Sequence, residues 1–207
     1  VLAMLEPAIR SGLEPMLEHW GVRLADDEVV GLTLTGREVV VKDYPEHPVT
    51  HGVRSLITMF FRPRSVEPAW PAANTPADRP RVSVLAQTTE DSWAEMDPGQ
   101  LPPRYDDGVD RRGPISLAVA VERGAAGVID VQIKPAKMLV IGDADFVANG
   151  ALEGGVGGNA DFFMSGLNWL LEREGLMAIS PKTPGELRIG LSREQWRLAY
   201  LLCLAGA

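Results

Sequence analysis

The residues most able to do chemistry follow a buried strand. Met138-Leu139-Val140-Ile141 is an apolar run that stops at Gly142, and Asp143, Asp145 and Asn149 come directly after it, with Asn159 further on. In open α/β sheets ligands bind beyond the carboxyl ends of strands. Two carboxylates and two carboxamides there could line a polar site, or hold Mg²⁺ or Ca²⁺ through oxygen ligands. The competing expectation is that these short side chains cap turns and helix ends. No metal ligand set is assigned.

Other clusters are weaker. His47 and His51 share a loop with Glu46, which allows a metal pair. The alternative is that His47 shapes the turn before Pro48 and that His51 is solvated. Gly154-Gly155-Val156-Gly157-Gly158 precedes a helix, where backbone amides can cradle phosphate. It lacks the Lys-Ser/Thr of a P-loop and is expected to be a flexible loop. Nucleophilic catalysis has little to draw on: the single cysteine, Cys203, sits in an apolar tail, and no Gly-x-Ser-x-Gly elbow is present. Ser92 after Asp91 reads as a turn. No catalytic residue and no cofactor is assigned.

The chain has 207 residues, 45% hydrophobic and 23% charged, enough to bury a substantial core. Its net charge of -8 disfavours nucleic acid as a partner, because phosphate neutralisation needs clustered Lys and Arg. One cysteine excludes an intrachain disulfide and a multi-cysteine zinc site.

The elements that must position these residues show in the patterning. Leu13, Met16, Leu17 and Trp20 have helical spacing, and Gly21 should end that helix. Strands are expected over 28–34 and 37–41, joined at Thr35-Gly36, and over 55–61, 81–87, 115–121, 137–141 and 177–179. The clearest helix runs over 159–173, with Asn159 as its N-cap. Five prolines between Pro63 and Pro80 mark a surface loop that carries Trp70, a candidate interface anchor. Strands alternate with helices, and several strands are apolar throughout. The expected fold class is therefore α/β: a mostly parallel sheet with helices on both faces and some antiparallel strands.

The two ends carry separate expectations. Val1 to Leu5 reads as a core strand, which suggests that residues 1–190 form one α/β domain, the C-terminal part of a larger one. In the tail, 198–207 is apolar on every face. It fits either a terminal core helix or the first half of a spanning helix, since roughly 20 apolar residues are needed to cross a bilayer.

Taken in order, several segments resemble a known family. They are Gly12-Leu13 to Trp20-Gly21-Val22 with Asp27-Glu28-Val29-Val30; His47-Pro48-Val49-Thr50; Gln87-Thr88-Thr89 with Ser92-Trp93; Gly113-Pro114-Ile115; Val140-Ile141-Gly142-Asp143-Ala144-Asp145-Phe146; and Gly158-Asn159-Ala160-Asp161 leading to Asn168-Trp169-Leu170. Together they look like the extracytoplasmic domain of ABC-type transport system auxiliary proteins, a group that includes the gliding-motility-associated GldG proteins. The resemblance covers nearly the whole chain.

The resemblance implies a class I glutamine amidotransferase-like, flavodoxin-like fold. It implies partnership with an ABC permease and ATPase. It also implies that 191–207 begins a C-terminal transmembrane helix, placing this domain on the extracytoplasmic side of the cell membrane. Thr88 and Thr89 join Asp143, Asp145, Asn149, Asn159 and His47 as candidate ligand-binding residues. The expected function is a non-enzymatic binding or scaffolding domain. The alternatives are a metal-assisted hydrolase using Asp143 and Asp145, or a purely structural envelope interaction domain.

Overall fold

A computed structural model describes residues 1–33, 35–69, 79–97, 99–124, 134–153 and 158–173. Trp70, Gly154 to Gly157, the strand expected at 177–179 and the tail 191–207 lie outside the described residues.

In chain order the elements are β1 (Leu2–Met4), α1 (Glu14–His19), β2 (Val22–Leu24), β3 (Glu28–Val30), β4 (Glu38–Val41), α2 (Pro48–His51), β5 (Thr58–Phe61), β6 (Val66–Pro68), β7 (Arg81–Gln87), β8 (Trp93–Glu95), β9 (Arg111–Arg112), β10 (Ser116–Arg123) and β11 (Ala136–Ile141). A 3-10 turn (Asp145–Val147), α3 (Asn149–Glu153) and α4 (Gly158–Leu170) follow.

The central sheet has the order β1-β11-β10-β7, and three smaller sheets pair β2 with β6, β3 with β8 and β9, and β4 with β5. Only β1 and β11 run parallel among the described residues; every other ladder is antiparallel. The expected mostly parallel sheet is thus overturned, and with it the flavodoxin-like, amidotransferase-like expectation.

The reason is physical. Continuous apolar runs report burial on both faces, which parallel strands share with central antiparallel ones. Antiparallel β10 and β11 are buried on both. Leu117, Ala120, Leu139 and Ile141 join a cluster with Val39, Val41, Phe60, Phe146, Phe162 and Trp169. Val119, Val121, Met138 and Val140 face the other way, onto Ala3, Leu5, Leu17, Val22 and Val66. Period-two alternation sends successive residues to opposite layers, and both layers are apolar.

One face is covered by α1, β2 and β6, the other by α2, α4 and the β4–β5 hairpin. In the second layer Phe60 stacks on Phe146 at 5.1 Å, and Phe162 meets Phe146 edge-on at 5.9 Å. Helix α1 ends as expected: Gly21 has φ 80 and donates its amide to Glu18 O at 2.9 Å.

Candidate functional site

Strand β5 has one edge on β4 and one free edge, and the strand-end polar residues lie along the free edge. Arg62 N donates to Arg37 O at 2.7 Å across the hairpin. In an antiparallel pair the residues that face the partner alternate with those that face away. Met59 and Phe61 therefore turn their backbone groups outward. Asn159 Oδ1 accepts from Met59 N at 2.8 Å while its Nδ2 donates to Met59 O at 2.8 Å and to Phe146 O at 2.7 Å. Asp143 Oδ2 accepts from Phe61 N at 2.6 Å, and its Oδ1 accepts from Phe146 N at 2.9 Å.

Both side chains are fully buried. Burial pushes the Asp143 carboxyl up to about 7; the amide of Phe61 pulls it down, and the Glu6 charge adds to the rise. Glu6 stays close because its Oε1 accepts from Ala144 N at 2.5 Å. Gly142 lets this turn close: a Cβ there would lie 2.1 Å from Arg64 O.

The structure separates the rest of that cluster. Asp145 and Asn149 are exposed, and the Asp145 amide donates to Glu6 Oε1 at 3.3 Å. Asn159 sits inside the first turn of α4 instead of capping it, because its side chain is committed to β5. Among the described residues no three His, Cys, Asp or Glu side chains gather as a metal site.

His47 lies elsewhere. It is the N-cap of α2, its Nδ1 accepting from Val49 N at 3.2 Å, and Thr50 Oγ1 returns the favour by accepting from His47 N at 3.1 Å. Its ring meets Trp169 edge-on at 5.3 Å. Burial lowers its pKa to about 4, helped by the nearby charge of Lys137. His51, at the other end of α2, is exposed.

Thr88 and Thr89 do meet an open space. A cleft of about 470 Å³ lies between β4 and the turn after β7, with Val39, Val40 and Lys42 on one side and Thr88, Thr89 and Glu90 on the other. Such a volume is within the range of ordinary binding pockets. Thr88 is the hub of the turn wall. Its Oγ1 accepts from Ile115 N at 2.8 Å and contacts Ser92 Oγ. Ser92 Oγ also donates to Thr89 O at 2.7 Å. Gly113, before a cis bond to Pro114, seats against this turn; a Cβ there would stand 2.2 Å from Thr89 O.

The cleft mixes Lys42 with Asp43 and Glu90, and on its wall the Ser92 hydroxyl donates to Thr89 O while Thr88 Oγ1 accepts from Ile115 N. Ser92 is buried, and its hydroxyl partners are Thr88 and the Thr89 carbonyl, with no base among them. The family resemblance singles out Thr88 and Thr89, which line this cleft, but not Val40 or Lys42, which line it too. Nothing in a strand's sequence says which of its edges is left open.

The described residues form a largely antiparallel α+β domain with a cleft beside a strand edge. The chain matches the family described as an ABC-type uncharacterized transport system over residues 3–172, and it belongs to that family. The family is named for an auxiliary role in ABC-type transport. Among solved structures it is similar to the mmIFT52 N-terminal domain, with a TM-score of 0.52 and 14% identity over 82% of this chain. The chain spans 63% of that chain's length, and at this identity the likeness speaks for fold alone. No curated protein matches. Among the described residues no helix is long and apolar enough to cross a membrane.

Proposed function

We propose that this chain is a binding or scaffolding domain of its transport system and not an enzyme. It works on the extracytoplasmic side of the membrane, beside the permease and ATPase, with 191–207 as the start of its anchor. Residues 1–190 form the domain proper, and the gliding-motility-associated members are its functional kin. Family membership supports the transport role. The single observation that carries the binding role is the cleft beside Thr88, a preformed space whose wall is locked by Thr88, Ser92 and Gly113. The acidic strand end is spent on structure, because both oxygens of Asp143 hold backbone amides.

Cross-linking in native membranes, followed by mass spectrometry, tests the reading. Permease or ATPase peptides linked to this chain are expected, together with cleavage of the domain by protease added from outside. A chain that is protected from that protease and linked to neither subunit would overturn it.

A further inference from the structure

The alternation that turns Met59 and Phe61 outward on β5 has a counterpart on β4. Val39 and Val41 point their backbone groups at β5, so Glu38 and Val40 point theirs away from it. At Glu38 that outer edge is closed: Gly31 lies against it, and a Cβ on Gly31 would stand 2.4 Å from Glu38 O. At Val40 the edge opens, and Val40 lines the cleft. The backbone N–H and C=O of Val40 have no hydrogen-bond partner among the described residues. On the facing wall the amides of Thr89 and Glu90 also donate to nothing among the described residues.

An unpaired strand edge is a template for another strand. Unpaired backbone groups at Val40 on one side of the cleft and at Thr89 and Glu90 on the other suit an extended peptide, whose own N–H and C=O groups alternate left and right. On the β5 edge Asn159 and Asp143 occupy Met59 N–H, Met59 C=O and Phe61 N–H, whereas both backbone groups of Val40 on β4 are unpaired among the described residues.

We infer that the cleft takes an extended polypeptide segment, added as a strand along the open edge of β4 at Val40 and held on its far side by the Thr89–Glu90 turn. The occupant is a peptide recognised mainly through its backbone. This rests on the binding-domain reading above and specifies what that domain binds.

The test uses the full chain and a phage-displayed library of random decapeptides. An enriched peptide should slow hydrogen exchange at the Val40 amide by at least about tenfold. Synthetic copies of that peptide, N-methylated at alternate residues, should then split by phase. Methyl groups in the phase facing β4 should weaken binding at least about tenfold, since each removes a donor to the edge. Methyl groups in the opposite phase should be tolerated, because the Thr89 and Glu90 amides are donors and offer a peptide N–H no acceptor. No enrichment, unchanged exchange at Val40, or equal tolerance of methylation at every position would overturn the inference. Protection at Val40 in a protein that links to no transporter subunit would discard the transport reading and keep this one. Linked subunits with Val40 unprotected would do the reverse.

Discussion

Asn159 grips Met59 at both backbone polar groups, accepting from its amide and donating to its carbonyl at 2.8 Å each. One side chain thus does for the edge of β5 what a neighbouring strand would do. It also ties helix α4 to a hairpin 100 residues earlier in the chain.

Asn159→Ala should be among the most damaging single changes. It strands Met59 N–H, Met59 C=O and Phe146 C=O in the interior, and a buried polar group without a partner costs about 1–3 kcal/mol. A loss of about 3 kcal/mol or more is expected from urea denaturation. A loss under about 0.5 kcal/mol would mean that water replaces the amide and that the strand edge is wetter than its burial indicates.

Two groups give opposite pH slopes. Asp143 is raised to about 7 when folded. An unfolded aspartate titrates near 3.9, so between about pH 4 and 7 the folded state holds the extra proton. Its contribution is fully present below that window and is lost as pH rises through it. His47 is lowered to about 4 from 6.5, so in the same window the unfolded state binds more protons, and stability falls as pH drops from 6.5 toward 4. Protonation also removes the Nδ1 lone pair that accepts from Val49 N. The two slopes oppose each other in the wild type. Denaturant midpoints between about pH 4 and 8 should separate them: Asp143→Asn loses the fall with rising pH, and His47→Asn loses the rise. Parallel pH curves for all three proteins would refute both assignments.

How much of this was legible in the sequence differs by level. Strands β7, β10 and β11 and helices α1 and α4 stand out in the patterning, because apolar spacing reports burial directly. Strand direction does not, since Val119 and Val140 look the same whether their ladder is parallel or antiparallel. At the strand end, the short Asp and Asn side chains were recognisable as residues that satisfy backbone. Their targets were not, because Phe61 and Met59 lie 82 and 100 residues away from Asp143 and Asn159. The cleft was legible only at Thr88 and Thr89. Its other wall depends on which edge of β4 remains unpaired, and that is decided by packing.

Thr88→Val keeps the volume of the side chain and removes its oxygen. Ile115 N–H then loses its acceptor, and Ser92 Oγ loses one partner, inside a buried turn. The expected cost is about 2 kcal/mol, from the usual penalty for a stranded donor. Thermal unfolding measures it. The same variant should leave the Asp143 titration untouched, since the two sites share no hydrogen bond. A shift in that titration would show that the cleft wall and the strand end are coupled.

Trp169 is 3% exposed, and two neighbours make three contacts with it. Lys137 Nζ sits 4.9 Å from its ring centroid, the His47 ring meets its edge, and Lys137 Nζ reaches its carbonyl at 3.5 Å. Trp169→Ala should cost about 3 kcal/mol or more by the usual scale for emptying a core aromatic site. It should also admit water beside His47, and desolvation is the main cause of that group's low pKa. Two readouts therefore move together: the unfolding midpoint falls, and the His47 pKa, followed by NMR, climbs from about 4 toward its ordinary 6.5. A destabilised variant whose His47 still titrates near 4 would show that the α2 cap, not the tryptophan, shields the imidazole from water.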